Sequence, residues 1–428
     1  MASHATGGEG TAQTRRRDLR NYAVGTAAYW TETLVDGATR TLVLFYFDRL
    51  GYSPLQVASL FVLYEVAGII TNLVGGWLAA RLGLKITLFM GLAIQVVALC
   101  MLGFAPASLL VVAYVMASQA LSGVAKDLTK MSSKSAVKLV VRDGDASALY
   151  RWVAILTGSK NALKGVGFFL GGLLLTLVGF RAAMLIMAAM VLAALLASSS
   201  LMHGHLGKPD KTAKFTKMFS NNRAVNVLAA ARIFLFASRD VWFVVALPFF
   251  LYTVVGWSFW EVGTLLAVWV IGYGGVQALA PRLVRRRVNG QGDEPDGRTA
   301  IWLALALAAC PAAIALALSE HVDPAVAIVV GLIPFGVVFA MNSAVHSYLI
   351  LAYSDSEKVT MNVGFYYMAN AVGRLAGTVL SGLVYEWHGL TACLWTSAGF
   401  VLAAGLLSLL LPREAADVAR RSRISQAA

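Results

Sequence analysis

Twelve stretches of this 428-residue chain stay apolar for about the length a helix needs to cross a bilayer, roughly 20 residues at about 1.5 Å rise. They cover approximately 21–47, 54–80, 86–104, 107–130, 148–180, 182–202, 224–252, 259–281, 300–318, 325–351, 359–384 and 391–411. Apolar residues run on continuously within them instead of alternating, so helices are expected rather than a transmembrane barrel. Several stretches exceed the minimum for one crossing, so tilt or protruding ends are expected. Composition agrees: 58% of residues are hydrophobic and 13% charged, where a soluble domain carries about 25% charged residues. The expected fold class is an all-α integral membrane protein with twelve transmembrane helices.

The net charge of +13 resembles a nucleic-acid signal until the loops are assigned to sides. With the N-terminus inside, one side of the membrane collects Arg15, Arg16, Arg17, Arg20, Arg81, Lys85, Arg142, Lys208, Lys211, Lys214, Lys217, Arg223, Arg282, Arg285, Arg286, Arg287, Arg298 and Lys358, and the tail adds Arg413, Arg420, Arg421 and Arg423. The other side receives Arg49 and Arg181. Such a bias orients the chain with both termini cytoplasmic. The basic runs are thereby accounted for, and no nucleic-acid partner is expected. The polar start shows no apolar core of a cleaved signal before Asn21. Cys100, Cys310 and Cys393 are scattered through apolar stretches without a CxxC, which points to inert thiols and to no metal site.

The segments divide six and six about the polar stretch 203–223, giving expected domains of 21–202 and 224–411 between a disordered basic tail (1–20) and a C-terminal tail (412–428). The halves echo one another. Gly51-Tyr52-Ser53-Pro54 and Gly256-Trp257-Ser258-Phe259 open the second and eighth segments, and Asn161-Ala162-Leu163 matches Asn370-Ala371-Val372 in the fifth and eleventh. Six plus six with internal echoes favours a duplicated transporter, two six-helix bundles related by pseudo-two-fold symmetry.

Charged residues inside these segments are the best functional clue, since a charge at the bilayer centre costs about 2.5–3.5 kcal/mol on insertion scales. Arg40, Lys126, Lys130, Lys160, Lys164, Arg232, Arg239 and Arg374 are candidate substrate contacts, and together they imply an anionic cargo. Lys126, Lys130, Lys134 and Lys138 recur every four residues, but Lys134 and Lys138 are expected to project into water. Glu32, Asp36, Glu65 and Asp240 are candidates for charge balance or coupling, with Glu32, Asp36 and Arg40 on one face of the first helix. Asp240 adjoins Arg239, but helix neighbours point about 100° apart, so their pairing is not assured. Asn161, Asn342 and His346 are candidate polar contacts, a hydrogen-bonded packing role for His346 being the plainer reading. Gly167 and Gly171, and Gly373 and Gly377, read as helix-packing positions. Gly158-Ser159-Lys160 resembles the end of a phosphate loop, but Val153 stands where its first glycine belongs. Neither nucleotide hydrolysis nor any other enzymatic activity is expected, and no cofactor.

The second segment ends in Gly75-Gly76-Trp77-Leu78-Ala79-Ala80-Arg81-Leu82-Gly83-Leu84-Lys85. This resembles the loop signature of the major facilitator superfamily, with Gly76, Arg81, Gly83 and Lys85 as its gate-loop residues and Ala80 where the family carries an acidic one. Three further blocks resemble organoarsenical efflux permeases of the ArsJ type within that superfamily. They are Ala120 to Ser135 (ALSGVAKDLTKMSSKS), Leu156 to Phe169 (LTGSKNALKGVGFF) and Ala231 to Phe243 (ARIFLFASRDVWF). The resemblance runs from about Asn21 through the twelfth segment.

That resemblance implies the major facilitator fold and a route of arsenate detoxification. A glyceraldehyde-3-phosphate dehydrogenase makes 1-arseno-3-phosphoglycerate, and the permease, expected to act as a monomer in the lipid bilayer of the bacterial cytoplasmic membrane, extrudes it by alternating access. An organophosphate/phosphate antiporter would use the same cationic pairs and stays open as an alternative. A membrane enzyme would need a cluster of His, Asp or Cys near one membrane face, which the sequence lacks, and a sensor would need a signalling domain.

Overall fold

The computed structural model describes residues 5–51, 60–141, 145–204, 206, 222–257, 259–284, 286–288, 291–293, 295–354 and 359–412. Their helices are α1 (Ala5–Arg49), α2 (Val62–Leu82), α3 (Leu84–Phe104), α4 (Val112–Val140), α5 (Ala146–Leu201), α6 (Arg223–Phe243), α7 (Ala246–Thr253), α8 (Phe259–Val284), α9 (Gly297–Ser319), α10 (Pro324–Ala352) and α11 (Val359–Ser408). A short antiparallel ribbon, Arg286–Val288 against Gln291–Asp293, is the only strand pair among the described residues. Helix α1 starts at Ala5, so residues 5–20 are helical rather than a disordered tail. Arg142, the basic residues 208–217, Arg285, Lys358 and the tail arginines lie outside the described residues.

Helix length accounts for the crossings. Eight of the described apolar helices, with α6 and α7 counted as one, are long enough to span a membrane. Helices α5 and α11 have 56 and 50 residues, or about 84 and 75 Å at 1.5 Å per residue, against a hydrocarbon core of about 30 Å. Each breaks once, at Gly179 (φ 76°) and Gly389 (φ 70°). A side chain at such a φ would strain the backbone, so glycine sets where the chain turns. Each of these helices therefore makes two crossings. Helices α1 and α4 complete the twelve and are richer in polar and ionisable residues.

By contact the chain forms two compact units, Met1–Asp145 with Val166–Met218, and Ala146–Gly165 with Phe219–Ala428. In each, glycines bring backbones together, as expected where lipid offers no hydrophobic drive between helices. In the first unit, a Cβ on Gly167 or Gly171 of α5 would strike the backbone of α1 at Leu34 and Ala38, and one on Gly123 of α4 would lie 2.8 Å from the Tyr64 carbonyl of α2. In the second, Gly373 and Gly377 of α11 do the same against Ile233 and Ala237 of α6. The packing role expected for these four glycines is what the geometry shows.

The second unit's core joins Leu235, Trp242, Phe335, Phe339 and Cys393, with Trp242 edge-on to Phe335 at 5.0 Å. Large apolar side chains such as Phe104, Leu177, Trp302 and Ile333 are instead exposed, as lipid-facing residues are. Polar caps start the helices where the chain re-enters: Asn222 for α6, Asp296 with Thr299 as a reciprocal box for α9, and Asp323 before Pro324 for α10.

Candidate functional site

In the first unit, α1, α2 and α4 meet around Tyr64, a residue that sequence reasoning missed. Its hydroxyl donates to Asp36 Oδ1 at 2.5 Å. Its ring lies under the Arg40 guanidinium (4.3 Å) and the Lys126 ammonium (3.9 Å), positions in which the negative face of an aromatic ring stabilises a cation. Arg40 donates to Glu65 Oε1 at 2.7 Å, so its ion-pair partner comes from α2 and not from the carboxylates on its own face. Lys130 donates to Asp127 Oδ1 at 2.5 Å, and Asn72 donates to Asp127 Oδ2 at 3.0 Å. Thr129 donates to Glu32 at 3.3 Å. Lys134, expected to be solvated, is 6% exposed: α4 continues to Val140 instead of ending near residue 130, and carries this lysine into packed surroundings.

The gate-loop residues belong to this unit as well. Gly83 forms the turn between α2 and α3, its N–H donating to Ala79 O at 3.0 Å. Lys85 donates to Met202 O at 2.7 Å, and Leu84 N to Leu206 O at 3.1 Å. The loop thus ties down the segment that follows α5. Arg81 is exposed and stacks on Trp77 at 5.4 Å, and Gly76 is buried.

The second unit carries a different balance. Of the candidate residues it holds Lys160, Lys164, Arg232, Arg239 and Arg374 against Asp240. Arg232 on α6 is 3% exposed. It donates through Nε to Asn370 Oδ1 of α11 (3.0 Å) and through Nη1 to the Ser343 carbonyl of α10 (3.4 Å), and lies over the rings of Phe236 (4.0 Å) and Tyr366 (5.0 Å). No carboxylate of the described residues pairs with it. On the facing helix, Asn342 Oδ1, Ser343 Oγ and His346 Nδ1 are buried without a hydrogen-bond partner. At Nδ1, His346 thus lacks the partner that a hydrogen-bonded packing role would supply.

Arg239 and Asp240 do pair, although they are sequence neighbours: Arg239 Nε and an Nη both lie 2.6 Å from Asp240 Oδ1. The long Arg side chain bends along the helix to cover the angle between the two positions. Arg374 Nε of α11 reaches Asp240 Oδ2 at 3.4 Å. Asn161 donates to Gln277 of α8 at 2.5 Å, and Lys160 and Lys164 are half-buried beside it on the first part of α5. Among the groups missed, Asn72, Gln277, Ser343 and Asn370 share one readable signal, a polar side chain within an apolar helix. Tyr64, Phe236 and Tyr366 have none, because aromatic residues in such helices read as core.

Long apolar helices that carry ionisable side chains mark a multi-pass membrane protein. The chain belongs to the Major Facilitator Superfamily, whose sequence profile matches residues 26–353. No curated protein matches the sequence. Solved structures share the fold. A bacterial homologue of the iron transporter ferroportin in an outward-facing state aligns with TM-score 0.71 at 13% identity over 91% of this chain and 98% of that one. The proton:xylose symporter XylE bound to 6-bromo-6-deoxy-D-glucose aligns with TM-score 0.69 at 13% identity over 91% and 95%. The human organic anion transporter MFSD10 (TETRAN) aligns with TM-score 0.69 at 14% identity over 90% and 99%.

Proposed function

We propose that this transporter carries an organic oxyanion out of the cell, and that its cargo is 1-arseno-3-phosphoglycerate, made by a partner glyceraldehyde-3-phosphate dehydrogenase. The observation that carries the anionic part is Arg232, a guanidinium 3% exposed with neutral partners only among the described residues. A buried cation costs several kcal/mol unless a counter-charge meets it, and a planar guanidinium matches a tetrahedral oxyanion with paired hydrogen bonds. The facing groups on α10, a hydroxyl, an amide and an imidazole, are all able to donate. The arsenical part rests on the sequence blocks around Lys126, Lys160 and Arg239. The site residues are Arg232, Arg239 and Arg374, with Lys160 and Lys164 as further cations and Asn342 and His346 as neutral donors. In the first unit, Arg40 and Lys126 are further candidate cations, Lys130 is taken up by its ion pair with Asp127, and Glu32, Asp36 and Glu65 serve charge balance or coupling. The protein works in the bacterial cytoplasmic membrane with both termini inside.

Cells stripped of other arsenate defences test the reading. Tolerance is expected only when permease and dehydrogenase are expressed together. Equal protection by the permease alone would make the ester the wrong cargo. Exchange of phosphate for glycerol phosphate without any arsenate tolerance would identify an organophosphate antiporter instead.

A further inference from the structure

The arrangement around Asp240 carries the reading one step further, and the step rests on the anion-transport function proposed above. Asp240 is 1% exposed. Its two oxygens face different guanidiniums, Oδ1 that of Arg239 on α6 and Oδ2 that of Arg374 on α11. The two halves are unequal. Arg239 holds Oδ1 at 2.6 Å with two nitrogens, whereas Arg374 Nε stands at 3.4 Å from Oδ2, an ion pair without a hydrogen bond, and Oδ2 has no hydrogen-bond partner. A carboxylate held between two arginines presents the same planar, two-oxygen face that one side of a phosphate or arsenate group presents.

We propose that Asp240 is a built-in stand-in for the substrate: it occupies Arg239 and Arg374 in the empty carrier and yields them to one oxyanion end of the cargo. The triad carries one net positive charge at rest, enough to attract an anion. Once the cargo takes the guanidiniums, the Asp240 carboxylate is left behind it as a like charge in a buried setting, and that repulsion favours release. A carrier must let go of its cargo as well as bind it, and two arginines with no competing carboxylate would hold a multiply charged anion too long. When the cargo leaves, Asp240 takes back both guanidiniums. The neighbouring packing keeps this exchange local: a Cβ on Gly377 would lie 3.0 Å from Asp240 Cβ and 2.7 Å from the Ala237 carbonyl, so α6 and α11 are fixed against each other at this level and the side chains do the moving.

The test is equilibrium binding of inorganic phosphate and of 3-phosphoglycerate to the purified full-length protein, paired with efflux from proteoliposomes. In Asp240→Asn, affinity is expected to rise about tenfold, because the competing state is gone and the whole population is competent, while the efflux rate falls. Asp240→Glu, which keeps a carboxylate, is expected to reverse part of both changes relative to Asp240→Asn. Asp240→Ala purified in formate gives a second readout that does not depend on the Asn variant folding: added formate, a free carboxylate, is expected to weaken phosphate binding in this variant and leave wild type unchanged. Weaker or unaltered binding in Asp240→Asn, or indifference of Asp240→Ala to formate, would overturn the exchange and make Asp240 a structural counter-ion. If neither wild type nor any variant binds either anion, the exchange is also overturned, whereas the arsenical cargo stands or falls by the tolerance experiment.

Discussion

Two kinds of buried cation coexist in this protein, and their substitution should move binding and stability in different ways. Arg232 has neutral partners, so its charge is a burden on the folded state that the proposed anion would relieve. Arg232→Gln keeps an amide donor and removes the charge. It is expected to weaken 3-phosphoglycerate binding by about tenfold or more, given about 1.5–3 kcal/mol for a charge-assisted hydrogen bond, with thermal stability held or raised. Arg232→Lys should not rescue binding fully, because an ammonium cannot serve Asn370, Ser343 and an oxyanion with one planar fork. Lys130 is the opposite case, closed on Asp127 at 2.5 Å. Lys130→Gln leaves the Asp127 carboxylate uncompensated and is expected to cost about 3–5 kcal/mol of stability, read as a lower unfolding temperature of the purified protein. A shift in binding from Lys130→Gln without loss of stability would reverse these two assignments.

The charged members of the candidate site were legible one by one, and their pairing was not. Charge inside apolar helix picked out Arg40, Arg232, Arg239 and Arg374. Which carboxylate each one meets depends on tertiary register: the spacing of four along α1 put Glu32, Asp36 and Arg40 on one face without choosing a partner, and the structure supplies Glu65 from α2. The angle between helix neighbours argued against Arg239 with Asp240, and the flexible Arg stem overrode it. Polar partners such as Asn370 looked like fragments of an internal repeat until the structure placed them against a cation.

Among the elements, glycine was a better guide than hydropathy. The apolar stretches placed helices well but overran at ends that are polar without being outside the helix, as at α4, which continues to Val140 through Lys134 and Lys138. They also ran through the interruption between α6 and α7 at Val244 and Val245. The small-residue pairs at 167/171 and 373/377 marked true contacts. Gly377→Ala is expected to be strongly destabilising, since its Cβ would lie 2.7 Å from the Ala237 carbonyl and overpacking a close contact costs about 1–3 kcal/mol. Gly275→Ala on α8 has nothing within 4 Å of the added carbon and is expected to be neutral. Unfolding temperatures in one detergent compare the two; since Gly→Ala raises helix propensity, a loss confined to Gly377→Ala is the expected result, and equal behaviour of the two variants would show that the α6–α11 approach does not govern the effect.

On the scale of the whole molecule, the family followed from counting crossings and reading the loop after α2, whereas contact places 146–165 with the second unit and not within an expected first domain of 21–202; the arrangement of crossings is what a labelling experiment tests directly. Positive charge gathers on one side of the sequence-derived topology, with Arg298 at the start of α9 and His321 in the turn between α9 and α10 assigned to opposite sides. Both are exposed, and a single helix of 23 residues, about 35 Å at 1.5 Å rise, separates them. That length matches one crossing of a hydrocarbon core about 30 Å thick, so the two positions cannot share a side unless α9 fails to span. His321→Cys is expected to react from outside intact cells with a membrane-impermeant maleimide, and Arg298→Cys only after the membrane is opened. Cys100, Cys310 and Cys393 are buried or half-buried, and replacing them first removes background labelling. Labelling of both positions from outside would overturn the crossing by α9, and labelling of Arg298→Cys alone would invert the orientation that the basic loops assign.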